Sequence, residues 1–187
     1  KNMPLNAIGL VEVSSIAVGH EVEDVMLKTA SVDLLVARTI CSGKFIVIVG
    51  GDVAAVNSSV EAGAARAHGS LIEERVISSV NQGVFPAISG AVDLAPEQAR
   101  ALGIVETFSA SSIIECADAA ADAADVVLFR IHLAMAIGGK GFFSCTGDVA
   151  AVEAAVEAGA QVASRDGILV NKVVIAAPSP ELFREYI

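Results

Sequence analysis

The sequence predicts an α+β fold built from two tandem ferredoxin-like domains, each an antiparallel sheet flanked by helices. Three observations predict it. Residues 52–64 read DVAAVNSSVEAGA and residues 148–160 read DVAAVEAAVEAGA, differing only at Asn57, Ser58 and Ser59. Each copy carries the order strand, helix, strand, strand, helix, strand, which is the split β-α-β motif. The 187-residue chain is also 54% apolar and only 18% charged, richer in core-forming residues than ordinary soluble domains.

The repeat extends outward, since Gly9 to Glu12 reads GLVE and Gly103 to Glu106 reads GIVE. The offset is 94 from Gly9 to Gly103 and 96 from Asp52 to Asp148, so the second copy gains two residues between Glu106 and Gly139. Two copies at so long a period mark a fused pair of domains rather than a solenoid. The domains are expected at residues 5–92 and 99–187. Their boundary falls near Val84–Arg100, where Pro86, Gly90 and Pro96 punctuate the chain. A unit of roughly ninety residues buries only about 60–65% of its extended-chain surface. Contacts between units or subunits are expected to cover the remaining apolar surface.

Both copies read alike, element by element. An apolar strand (Ala7–Val13; Ala101–Phe108) leads to Ser15 or Ser109, good helix N-caps. The first helix carries Val18, Val22, Val25 and Met26 on one face. A β-rich run follows (Val32–Ala37; Val126–Leu133), then a Gly-containing loop and a further strand (Phe45–Val49; Phe142–Thr146). Asp52 or Asp148 caps the second helix, whose inner face is Val53, Val56, Val60, Ala64 or Val149, Val152, Val156, Ala160. A last strand (Leu71–Val80; Ile168–Ala176) closes the unit. Gly63 and Gly159 fall in mid-helix, where glycine costs about 1 kcal/mol against alanine. Close approach to a neighbouring element is the expected compensation.

Several function classes are excluded or disfavoured. The net charge is −10, with no Lys/Arg cluster, so counterion release from a nucleic acid cannot drive binding. No apolar run reaches the length of a membrane span; Val126 to Ile137 is broken by Arg130 and His132. The first residues show no charged-then-apolar leader. Three scattered cysteines make no disulfide framework, which suits a reducing cytoplasm. Catalytic signatures are missing too. Gly50-Gly51-Asp52 lacks G-x-G-x-x-G, and Gly139-Lys140 lacks the first Gly and the Ser/Thr of a P-loop. His20, His68 and His132 have no ligand spacing. Glu12 and Glu106 read as structural caps or interface hydrogen-bonding groups, and no enzyme is expected.

The loops after the third element differ between copies. One is Arg38-Thr39-Ile40-Cys41-Ser42-Gly43; the other is Ala134-Met135-Ala136-Ile137-Gly138-Gly139. Both are nearly uncharged, although loops normally face water, so burial or a crowded symmetry axis is expected. Cys116 and Cys145 lie in helical and strand patterns and read as small core residues.

GLVE and GIVE, MLKTASVDLLV (Met26–Val36), GKFIVIVGGDVAAV (Gly43–Val56) and VEAGA together resemble the bacterial microcompartment shell domain, twice and in unpermuted order. TICSGK (Thr39–Lys44), FPAISG (Phe85–Gly90) and IGGK (Ile137–Lys140) resemble the tandem, trimer-forming class, its propanediol-utilisation T type most of all. The resemblance implies a homotrimeric pseudohexamer with a central pore, tiling with other shell proteins around encapsulated redox enzymes. It implies a pore lined by Thr39, Ile40, Cys41, Ser42, Gly43, Ala136, Ile137, Gly138 and Gly139. It also implies a 4Fe-4S iron–sulfur cluster for electron transfer across the shell, one per trimer, held by Cys41 of each chain. A cluster normally takes four thiolates, and a cyclic trimer places three copies of an axial residue around one point. Lys28 matches the lateral-edge lysine of the family. The second copy departs, with Asp122 at the equivalent position and Ala177 where an edge arginine is expected. A cluster-free shell trimer that conducts metabolites remains an alternative. So does a soluble ferredoxin-like regulatory module binding a small ligand, which the fold alone permits.

Overall fold

A computed structural model describes residues 5–90, 92–134 and 137–183. The chain forms two compact units, Lys1–Phe85 and Pro86–Ile187. The first contains β1 (Ala7–Val13), α1 (Ile16–Thr29), β2 (Asp33–Ile40), β3 (Lys44–Gly51), α2 (Val53–Ala67) and β4 (Leu71–Ser78). A short helix, α3 (Val84–Ser89), lies across the division. The second contains β5 (Ala101–Thr107), α4 (Ser112–Ala123), β6 (Val127–Leu133), β7 (Gly141–Gly147), α5 (Val149–Arg165) and β8 (Leu169–Ile175). Sheet orders are β2-β3-β1-β4 and β6-β7-β5-β8, with every neighbouring pair antiparallel. Two tandem four-stranded antiparallel sheets with helices bear out the expected α+β fold.

Side-chain alternation along the central strands explains the layering. In the first unit, Ala7, Val11, Val13, Phe45, Val47 and Val49 pack with Val22 and Met26 of α1 and with Val56, Val60 and Ala67 of α2. The intervening Ile8, Leu10, Ile46 and Ile48 are buried on the other face. Full burial of each such side chain is worth about 1.5–3 kcal/mol. The two repeated sequence motifs meet in this layer. A Cβ at Gly9 would lie 2.5 Å from Val60 and 2.7 Å from Val56, and one at Gly103 would lie 2.6 Å from Val156 and 2.7 Å from Val152. The GLVE/GIVE glycine and the DVAAV helix are thus two sides of one contact.

Helix starts follow local hydrogen bonding. Ser15 accepts from the Val18 N–H at 3.4 Å, and Asp52 from the Ala55 N–H at 3.0 Å. The second unit departs from the expected caps. Asp148 stands at the N-cap of α5 without capping it, because its carboxylate pairs with Arg100. Helix α4 starts at Ser112 rather than directly after Ser109; the Ser109 hydroxyl accepts from the Ser112 N–H at 3.3 Å and meets the Ser111 hydroxyl at 3.0 Å. The segment after Phe85 goes with the second unit, where Leu94 packs in a cluster with Leu102, Phe129 and Phe183. Residues 184–187 of the expected second domain lie outside the described residues.

Candidate functional site

Two hairpin turns occupy equivalent positions in the two units. In the first, Cys41–Gly43 joins β2 to β3, with Ser42 at φ 64° and Gly43 at φ 71°. In the second, Ile137–Lys140 closes through a Lys140 N–H to Ile137 carbonyl bond of 3.4 Å, with Gly138 at φ 67° and Gly139 at φ 85°. Two consecutive left-handed residues are the pattern that matches the twist of a hairpin. Glycine adopts it freely, whereas Ser42 does so at about 1 kcal/mol or more. At the offset of 96, Cys41 corresponds to Ile137, and Lys44 to Lys140. The two extra residues of the second copy therefore fall in this turn, between Leu133 and Gly141. Thr39 and Ile40, expected in the loop, belong to β2 instead, pairing with Phe45 and Lys44. Ala136 lies outside the described residues.

Beneath each turn stands an ion pair. Lys44 Nζ donates to Glu12 Oε1 at 2.7 Å, and Lys140 Nζ to Glu106 Oε1 at 2.7 Å. Lys44 is the first residue of β3 and Lys140 stands just before β7, while each glutamate belongs to an inner strand of its sheet. Neither glutamate caps a helix, because strand register carries each to its lysine. On the helix-free face the rows across the sheets read Arg38–Ile46–Glu12–Glu73 and His132–Phe142–Glu106–Asn171. Arg75 pairs with Glu73 at 3.0 Å, and burial pulls the Arg38 guanidinium below its ordinary pKa. In the second row the His132 ring stacks on Phe142 at 5.1 Å, with the Arg130 guanidinium 5.6 Å from the Phe142 centroid.

The three cysteines differ sharply. Cys116 of α4 and Cys145 of β7 are wholly buried, and burial pushes each thiol from 9.0 up to about 12. Neither offers a thiolate near neutral pH. Cys41 is half-buried at the start of its turn and forms no disulfide. Among the described residues, no three His, Cys, Asp or Glu side chains of one chain gather as a metal site. A single chain therefore does not fit an iron–sulfur cluster, and its donor set could do so only where several copies bring Cys41 together.

Lys28 sits exposed in the last turn of α1, 2.7 Å from Asp24, where its charge suits the helix C-terminus. Helix α4 has no basic residue in its last turn and carries Asp122 there, also exposed. Ala177 lines a depression with Arg100, Asp148 and Val149 near the start of α5. Among the described residues, no helix is long and apolar enough to cross a membrane.

Comparison with known proteins places this architecture. The BMC domain family matches residues 7–80 and 101–178, most of both units. The chain is 41% identical to the bacterial microcompartment shell protein PduT of Citrobacter freundii over 97% of each chain. It is 36% identical to the carboxysome assembly protein CcmO of a Synechocystis strain, over 91% of this chain and 61% of that protein. A crystal structure of a microcompartment protein from Desulfitobacterium hafniense superposes with a TM-score of 0.93 at 50% identity, covering 97% of this chain and 99% of that one. These relatives are shell and assembly proteins rather than enzymes. The chain belongs to the BMC domain family and is a tandem-domain shell protein of a bacterial microcompartment.

Proposed function

We propose that three copies of the chain assemble about an axis where their hairpin turns meet, and that the three Cys41 thiolates hold an iron–sulfur cluster there. The observation that carries this reading is the position of Cys41. It is the one cysteine within solvent reach, at the head of a turn whose following residues are Ser42 and Gly43. The likeness to PduT over nearly the whole chain supports a shell assembly with the same tandem organisation. Three thiolates leave one iron of a four-iron cluster to a ligand from outside the protein. The bound cluster would supply one-electron chemistry, suited to moving electrons across the shell. The protein's part is to present sulfur as thiolate, to hold the turn still, and to keep Ile137 and the glycines beside it uncharged. Lys28 would lie at a lateral edge and serve tiling with other shell proteins.

A cluster-free trimer whose pore conducts metabolites is the second reading. It is favoured by the lack, among the described residues of one chain, of any group of three metal ligands. Sedimentation equilibrium with iron and acid-labile sulfide analysis of anaerobically purified protein separates the two. A trimer with about one four-iron cluster is the expected result. An iron-free trimer supports the second reading, and a monomer at micromolar concentration removes both.

A further inference from the structure

The ion pair at the foot of each turn is not explained by stability alone. Glu12 is almost wholly buried, its side chain 8% exposed against 37% for Lys44. A buried ion pair contributes little net stability compared with apolar residues of similar size. Apolar residues do fill the adjoining positions on the same face, where Leu10, Ile46 and Ile48 are buried. Both units carry the pair at this one place, buried at Glu12 and partly exposed at Glu106, whose side chain is 31% exposed. The turn above it differs between units in length and content, as Cys41-Ser42-Gly43 against the longer run ending Ile137-Gly138-Gly139. The β2–β3 ladder ends at Ile40 opposite Lys44, so beyond that rung no strand pairing holds the hairpin tip. The Glu12–Lys44 bond ties this last rung to β1, the neighbouring strand of the same sheet.

We infer that Glu12 and Lys44 are positioning residues for Cys41: the ion pair fixes the end of the hairpin so that each copy presents its sulfur at the same point. This rests on the reading of Cys41 as a cluster ligand. The Glu106–Lys140 pair, at the same distance, does the same for a turn that begins with Ile137 and carries no thiol, and so provides an internal control. Groups that orient a metal ligand without touching the metal typically change metal affinity by about tenfold to a hundredfold.

The test compares Glu12→Gln, Lys44→Met, Lys44→Arg and Glu106→Gln in the full-length assembly. Two readouts are taken: iron retained against a chelator after anaerobic reconstitution, and the rate of Cys41 alkylation by iodoacetamide in iron-free protein. Glu12→Gln and Lys44→Met should each weaken iron retention about tenfold and speed alkylation several-fold as the half-buried thiol loosens. Lys44→Arg, which keeps the charge and a donor, should restore both to near wild type. Glu106→Gln should leave both near wild type and lower the melting temperature less than Glu12→Gln, because the Glu106 side chain is 31% exposed against 8% for Glu12. Wild-type retention and alkylation in Glu12→Gln and Lys44→Met, or equal effects in Glu106→Gln, overturn the inference. If wild type itself takes up no iron, the cluster reading fails, and the alkylation rates alone decide the positioning role.

Discussion

Glycines 63 and 159 occupy equivalent places in α2 and α5, yet alanine should have different effects at the two. In an exposed helix the change would gain about 1 kcal/mol from propensity. Here a new Cβ at Gly159 would lie 2.7 Å from the Cys116 backbone carbonyl oxygen and 2.9 Å from the Phe143 ring. Backbone of α4 and an inner aromatic ring cannot yield without moving a helix, and such overpacking costs about 1–3 kcal/mol. At Gly63 the nearest atoms are Met26 Cγ at 2.7 Å and Sδ at 2.9 Å. A methionine side chain has three rotatable bonds and accommodates intrusion readily. Gly159→Ala should therefore destabilise by up to about 2 kcal/mol after the propensity gain, while Gly63→Ala stays within about 1 kcal/mol of wild type. Circular-dichroism melts at matched concentration should show Gly159→Ala lower by up to about 8 °C. A Gly159→Ala protein that melts at or above wild type, or a Gly63→Ala protein that falls further, would refute the packing argument.

Other consequences are equally direct. Ser42→Val should destabilise by about 1–2 kcal/mol because a β-branched residue resists the left-handed region, whereas Ser42→Gly should be tolerated; urea midpoints compare them. Lys28→Ala removes an exposed i,i+4 pair and should change stability by less than about 0.5 kcal/mol, while sheet assembly seen by electron microscopy is lost. Native iron-free protein should react with a thiol reagent at Cys41 alone, and all three cysteines should react after denaturation. The buried thiols also set a pH dependence. Their folded pKa of about 12 lies above the unfolded value, so the folded state holds more protons at alkaline pH. Stability should be unaffected below about pH 9 and fall as pH rises toward 12, and Cys145→Ala should reduce that slope.

The duplicated fold was legible because its packing repeats in sequence: Gly9 and Gly103 face the valines of the matching DVAAV helices. The mid-helix glycines likewise mark close approaches. Cys116 and Cys145 were readable as core residues from their place in apolar patterns. What escaped was non-local. Glu12 and Lys44 stand 32 residues apart, and only the register of β1 with β3 joins them, so the carboxylate resembled a helix cap. Thr39 and Ile40 looked like loop because of the Cys-Ser-Gly that follows, yet both are good strand formers and the ladder runs through them. The run of Ser109, Ser111 and Ser112 hid the start of α4, since all three hydroxyls could cap and they bond to one another. Helix α3 was concealed by Pro86, which reads as a breaker but is tolerated in a first helical turn.

Native mass spectrometry of anaerobically purified protein, beside Cys41→Ser, tests the central claim most directly because it reads assembly and cofactor in one spectrum. Wild type should appear as three chains plus the mass of one four-iron, four-sulfide cluster, and Cys41→Ser as three chains alone. A cluster retained by Cys41→Ser, or a wild-type particle without three-fold stoichiometry, would contradict the account.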